Sequence, residues 1–198
     1  MGALLGGVPG VNPLKVVILG GGVVGAHAAH MAVGMGADVW VLDNNPDTLE
    51  KHWQQFGRST NTVFSTQSTV EQYVLKADLV IEAVPEIMEL KKELFIQLEK
   101  IAPKHAILAT NTSSIPISII ASVTKCPERV IGMHFFNPVP IMKLLELVKH
   151  EKCSDKTIVA AQSIGKIMGK ETILVKDVPG FATSRLGVVL GNEAIRML

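Results

Sequence analysis

With 198 residues, 47% hydrophobic and 19% charged, the chain has ample apolar material for a buried core and does not read as a disordered segment. A net charge of +1, with Lys and Arg scattered and no basic run, leaves no electrostatic footprint for nucleic acid or an anionic membrane. Cys126 and Cys153 lack metal-ligand spacing and point to a reducing compartment, and no apolar run reaches the length of a membrane span.

The opening stretch MGALLGGVPGVNP has no basic region of the secretory type, so a cytoplasmic (or organelle-matrix) protein is expected. Residues 15–19, KVVIL, form an apolar run of strand length, and GGGVVG follows at once. Small and apolar residues then recur at helical spacing until Gly34 and Gly36. A second buried strand is DVWVL (38–42), and further strands are predicted at 61–65, 78–84, 105–110, 129–135, 143–148 and 172–176. Helices are predicted at 46–56, 68–76, 86–102 and 155–169. Apolar strands alternating with helices specify an α/β fold, a doubly wound, mostly parallel Rossmann sheet covered on both faces. Residues 1–180 are assigned to it. After the Pro179-Gly180 turn, residues 181–198 read as an apolar helix opening a truncated helical domain, and its apolar face should bury itself somewhere.

Gly20, Gly22 and Gly25 fit G-x-G-x-x-G between a strand and a helix, with Asp43 closing the next strand. Gly20 permits the tight turn, Gly22 admits a pyrophosphate to the helix N-terminus, and Gly25 allows close helix–sheet packing. Asp43 suits the adenosine ribose hydroxyls and repels a 2′-phosphate; Asn44 and Asn45 supply no Arg, so NAD is the expected cofactor. No metal is expected: His27 and His30 lack a third ligand and read as helix-face residues. Met31, Met35 and Met168 read as core fillers and Trp40 as core or sheet cover, while Lys143 suits either a phosphate contact or an exposed strand position.

Polar groups gather at three later strand ends, in EAVPE (82–86), TNTSS (110–114) and HFFNP (134–138). Removing hydride from a secondary alcohol requires a base for the hydroxyl proton, and His134 is suited to that near neutral pH. If NPVP (137–140) makes a turn, Glu146 could return beside His134 as an orienting carboxylate. Spacing alone favours a core histidine near a surface glutamate over such a pair.

From about Ala77 to Leu198, the blocks ADLVIEAVPE, ELKKELF, ILATNTSS, HFFNPVPIMKLLELV and DVPGFATSRLG closely resemble the NAD-binding domain of 3-hydroxyacyl-CoA dehydrogenases. That resemblance implies His134 as catalytic base, Glu146 as its orienting carboxylate and Ser113 as the group that hydrogen-bonds the substrate oxygen. It implies cofactor contacts at Glu86, Lys91 and Asn137. The implied reaction is reversible NAD-dependent oxidation of a 3-hydroxyacyl-CoA to the 3-ketoacyl-CoA. Ser184 stands where the family has Asn in PGFxxNR and is carried over as a further catalytic position of shorter reach. Two departures bear on activity: Asn44–Ala77 do not resemble the family's CoA-binding helical hairpin, and nothing beyond Leu198 supplies its closing helical domain. An isolated chain is therefore expected to be weak or inactive on an acyl-CoA, with a homodimer as the expected assembly. The first third, LLGGVPGVNPLKVVILGGGVVGAHAAHMAVGMGADVWVLDNNPDTLEKHWQQFG, resembles instead the NAD-binding segment of alanine dehydrogenases, so the whole reads as a hybrid of engineered or recombined origin.

Overall fold

The computed structural model describes residues 6–137 and 141–197. Among these residues, eight strands form one sheet: β1 (Lys15–Leu19), β2 (Asp38–Asp43), β3 (Asn61–Phe64), β4 (Leu79–Glu82), β5 (Ile107–Thr110), β6 (Val130–Phe135), β7 (Leu144–Lys149) and β8 (Glu171–Lys176). Seven α-helices accompany them: α1 (Val23–Gly34), α2 (Pro46–Phe56), α3 (Gln67–Val74), α4 (Met88–Ile101), α5 (Ile117–Ser122), α6 (Asp155–Ile167) and α7 (Thr183–Arg196). The strand order is β3-β2-β1-β4-β5-β6-β7-β8. The first six strands are parallel, β7 runs antiparallel to β6, and β8 is parallel to β7.

Successive side chains of a strand point to opposite faces, which explains why both faces must be apolar here. Val16 and Ile18 of β1, with Leu79 and Ile81 of β4, face the core that includes Ala28, Ala29 and Ala32 of α1. Val17, Leu19 and Val80 face the other core, built with Phe95 and Leu98 of α4 and Ile117 and Ile120 of α5. Helix starts are set by local chemistry. Asn45 accepts from the Asp47 amide with Pro46 in the first turn of α2. Thr66 and Thr69 form a reciprocal capping box on α3, and Ser154 caps α6.

All eight predicted strands are present, with ends moved by up to two residues. The short α5 is not anticipated from periodicity because it lasts under two turns; its amides at Ile117 and Ser118 are held by Asp177, at 2.9 and 2.7 Å. Trp40 covers the sheet by stacking on Tyr73, with Lys15 over its ring. Met168 is in the core and Met31 packs against it, whereas Met35 is exposed in the turn after α1. The last helix does not dock its apolar face on the chain's own sheet: no residue of α7 is buried, and Val188 and Ile195 are 63% and 70% exposed.

Gly25 shows how the glycine motif acts through packing. A Cβ built there would lie 1.8 Å from the Gly20 carbonyl oxygen, which is backbone and cannot rotate away. Gly25→Ala is expected to force α1 off the loop and cost about 3 kcal/mol, the upper end for overpacking. A lower urea midpoint at unchanged slope checks this.

Candidate active site

The carboxyl end of β1 turns at Gly20, whose φ of 98° suits glycine; a Cβ there would sit 2.6 Å from the Ala83 carbonyl oxygen. Gly22 begins α1 with no side-chain cap, and a Cβ on it would meet open space. The first amides of a helix have no intrahelical partners, so this end presents donors and a partial positive charge to whatever lies above it. Asp43, closing β2, accepts from the Gly21 amide at 2.6 Å and the Asn45 amide at 2.8 Å, which fixes its carboxylate beside the glycine turn. Gly20, Gly22, Asp43, Asn44 and Val84 line one cavity of about 710 Å³. An open approach at Gly22, a helix N-terminus and a fixed carboxylate fit a dinucleotide.

His52 was not singled out from the sequence. It is buried on the inner side of α2, and its Nε2–H donates to the Gly21 carbonyl at 2.7 Å, bracing the loop from beneath. Only its place on the inward face of an amphipathic helix could have marked it.

The opposite part of the same sheet end carries the polar cluster. His134 of β6 and Glu146 of β7 are direct partners in the antiparallel register. Their side chains share a face, and His134 Nδ1 lies 2.7 Å from Glu146 Oε2. His134 is 5% exposed and Glu146 fully buried. A buried carboxylate is an acceptor, so Nδ1 carries the proton and Nε2 is left as the basic nitrogen. Nε2 lies 3.1 Å from Ser113 Oγ, on the exposed loop after β5. Phe136 and Phe181 pack against the imidazole at centroid distances of 4.6 and 5.6 Å. Pro138–Pro140, in the turn expected from NPVP, lie outside the described residues; the pairing of β6 with β7 is described on both sides of them.

A second cluster holds the Ser113 loop. Glu82 is fully buried and accepts from Lys91 Nζ at 2.6 Å, Thr110 Oγ1 at 2.6 Å and the Val84 amide at 2.8 Å. Lys91, 1% exposed, also pairs with Glu86 at 3.4 Å. Glu86 accepts from the Thr112 hydroxyl and from the Ser113 and Ser114 amides, and Asn111 accepts from the Phe135 amide at 2.8 Å. Lys91 thus lies beneath the loop and does not present its ammonium at the surface. Asn137 is exposed just beyond β6. Ser184 is half-buried on α7 and makes no hydrogen bond to His134, Glu146 or Ser113; the neighbouring Thr183, which the sequence reading passed over, does reach Glu146.

Burial by itself would raise the Glu86 carboxyl, but the Thr112 hydroxyl, the Lys91 charge and the two serine amides outweigh it and hold the group below its ordinary value. A depressed carboxylate adds stability above its unfolded value and loses it as pH falls through the folded one. Glu86→Gln is therefore expected to lose less stability than the parent chain as pH falls below about 4.5, the ordinary value of the group, read from urea melts at descending pH.

A cavity of about 890 Å³ lies elsewhere, beside α5 and the far ends of β7 and β8. Its three lysines (Lys149, Lys152, Lys176) are balanced by Glu151, Asp155 and Asp177, and burial pushes the Cys153 thiol there up to about 11, away from thiolate chemistry. None of the dyad lines it. Among the described residues, no group of three or more His, Cys, Asp or Glu side chains could hold a metal ion.

Residues 15–178 match the family described as 3-hydroxyacyl-CoA dehydrogenase, NAD binding domain. The chain is 38% identical to the Bacillus subtilis (strain 168) protein named "Probable 3-hydroxybutyryl-CoA dehydrogenase", over 91% of this chain and 69% of that one. It is 36% identical to the human mitochondrial hydroxyacyl-coenzyme A dehydrogenase, over 92% of this chain and 65% of that one. It superposes on the crystal structure of the (S)-3-hydroxybutyryl-CoA dehydrogenase of Ralstonia eutropha with a TM-score of 0.81 and 32% identity, covering 91% of this chain and 69% of that one. The chain thus spans about two thirds of the length of these relatives. The family match starts within β1 and includes the first βαβ unit, so one family covers the two segments that the sequence reading had assigned to two; the hybrid reading has no support in these matches.

Proposed function

The chain belongs to the 3-hydroxyacyl-CoA dehydrogenase family through its NAD-binding domain, and on that premise we propose that it carries the proton-transfer site for interconverting a 3-hydroxyacyl-CoA and its 3-ketoacyl-CoA. One observation carries the reading: an imidazole with a buried carboxylate on one nitrogen and an exposed serine hydroxyl on the other, at the sheet end that also holds the glycine loop.

Gly22, the α1 N-terminus and Asp43 would hold NAD, which when bound supplies the hydride acceptor for the substrate's C3 carbon. His134 Nε2 takes the C3 hydroxyl proton, and returns it in the reverse direction. Ser113 gives its hydrogen bond to the same substrate oxygen and so sets that oxygen within reach of Nε2. Glu146 keeps the proton on Nδ1 before transfer and stabilises the imidazolium after it. Ser184, Asn137, Glu86 and Lys91 are proposed to act around this centre, Glu86 and Lys91 by fixing the Ser113 loop.

Turnover of the isolated chain is proposed to be weak, because residues 44–77 do not resemble the family's CoA-binding helical hairpin. The exposed face of α7 is our proposed contact for a homodimer, and a clean 21.3 kDa monomer by light scattering would sink that contact. No helix among the described residues is long and apolar enough to cross a membrane; action in the cytoplasm is proposed. The test is NADH titration by fluorescence, then acetoacetyl-CoA addition with absorbance followed. Binding with turnover supports the reading. Binding without turnover leaves a cofactor-binding scaffold, and absence of binding overturns the site at Gly22.

A further inference from the structure

The Glu146 carboxylate is fully buried, and four donors converge on it. Oε2 accepts from His134 Nδ1 at 2.7 Å and from Thr183 Oγ1 at 3.0 Å. Oε1 accepts from the backbone amides of Ala182 at 3.1 Å and Thr183 at 2.9 Å. An ionised carboxylate offers about four lone-pair directions, so this one is filled. Two of the four bonds come from one residue, and they fall on different oxygens. Thr183 therefore grips both ends of the carboxylate and blocks its rotation about the terminal torsion, a motion that is otherwise soft.

The local backbone is arranged for that grip. Phe181 is buried, sits at φ 49°, and has its amide tied to the Val178 carbonyl at 2.8 Å. A bulky residue in the left-handed region persists only where its surroundings over-determine it. Here its ring lies edge-on to His134, and the turn delivers the next two amides to Glu146. Ala182 and Thr183 stand at the start of α7, where free amides and the positive end of the helix both favour an anion.

We propose that Thr183 is a positioning residue of the dyad: its hydroxyl and amide together hold Glu146 in the one orientation that keeps the His134 Nδ1 proton engaged and Nε2 aimed at the Ser113 side. Its kinetic consequence rests on the dehydrogenase reading; the geometric claim does not. Thr183→Val replaces the hydroxyl by a methyl of similar size, keeps the backbone donor, and leaves one lone pair of a buried carboxylate without a partner.

The test is carried out on the full chain with two readouts. In proton NMR of the unliganded protein, solvent exchange of the His134 Nδ1 proton is expected to quicken about tenfold in Thr183→Val, while the Met133 and Leu145 backbone amides keep their parent rates. Thr183→Ser, which retains the hydroxyl, is expected to restore slow exchange. With NADH and acetoacetyl-CoA, Thr183→Val is expected to lower kcat about tenfold at unchanged KM for NADH, and Ser to recover it. An unchanged Nδ1 exchange rate in the valine variant overturns the proposal. So does a serine variant as impaired as the valine one, since that assigns the role to the methyl group. If no variant, nor the parent, turns over acetoacetyl-CoA, the dehydrogenase reading fails while the exchange measurement still decides the role of Thr183.

Discussion

Replacing His134 by Gln is expected to lower kcat for acetoacetyl-CoA reduction by about 10²–10⁴-fold, the usual range for losing a positioned acid–base group. An amide keeps a donor for Glu146 Oε2 and fills much of the space between Phe136 and Phe181, so the fold around it should hold. It cannot carry the proton exchanged with the substrate oxygen. NADH affinity should stay at the parent value, because the glycine turn and Asp43 lie across β4 and β5 from the dyad. Steady-state rates alongside a fluorescence titration separate these effects. Turnover within tenfold of the parent chain would mean that another group handles the proton. A loss of NADH binding equal to the loss of rate would mean that His134 supports the cofactor site instead.

Lys91→Met is expected to cost about 3–5 kcal/mol of folding free energy, the range for breaking a buried ion pair by removing one partner. The ammonium is 1% exposed and donates to Glu82 at 2.6 Å and to the Val84 carbonyl at 3.3 Å. Without it, Glu82 keeps only the Thr110 hydroxyl and the Val84 amide, and it remains buried in the strand next to β1. Adding Glu82→Gln should recover part of the loss, since a neutral amide leaves no uncompensated charge. Urea melts of the two single variants and the double variant give the coupling directly. A loss below about 1 kcal/mol in the single variant would place the pair in the class of weak ion pairs, whatever its burial. The same substitution should slacken the Ser113 loop through Glu86 and lower kcat even where the chain stays folded.

Much of the cofactor half was legible in the residues because its causes are local. KVVIL is strand-forming and apolar on both faces, a glycine is needed wherever φ is 98° or a Cβ would strike a carbonyl, and Asp43 follows from where β2 stops. The dyad was legible only as a pair of suitable residues, and the family resemblance, more than spacing, joined them. Their contact depends on register: one residue of slip between β6 and β7 would turn His134 and Glu146 to opposite faces.

By itself, the sequence determined the α/β class, the strands and most helices, the NAD-binding turn and its acidic partner, because hydrophobic period, glycine sterics and strand ends act within a few residues. The tertiary structure alone decided that Lys91 is a buried counter-ion, that Thr183 and not Ser184 hydrogen-bonds Glu146, and that α7 does not dock on the chain's own sheet. Those outcomes depend on which distant groups fill a buried carboxylate's lone pairs, and on whether any surface lies opposite an apolar face. Burial and pairing of that kind arise only when the sheet has closed and brought residues dozens of positions apart into one site.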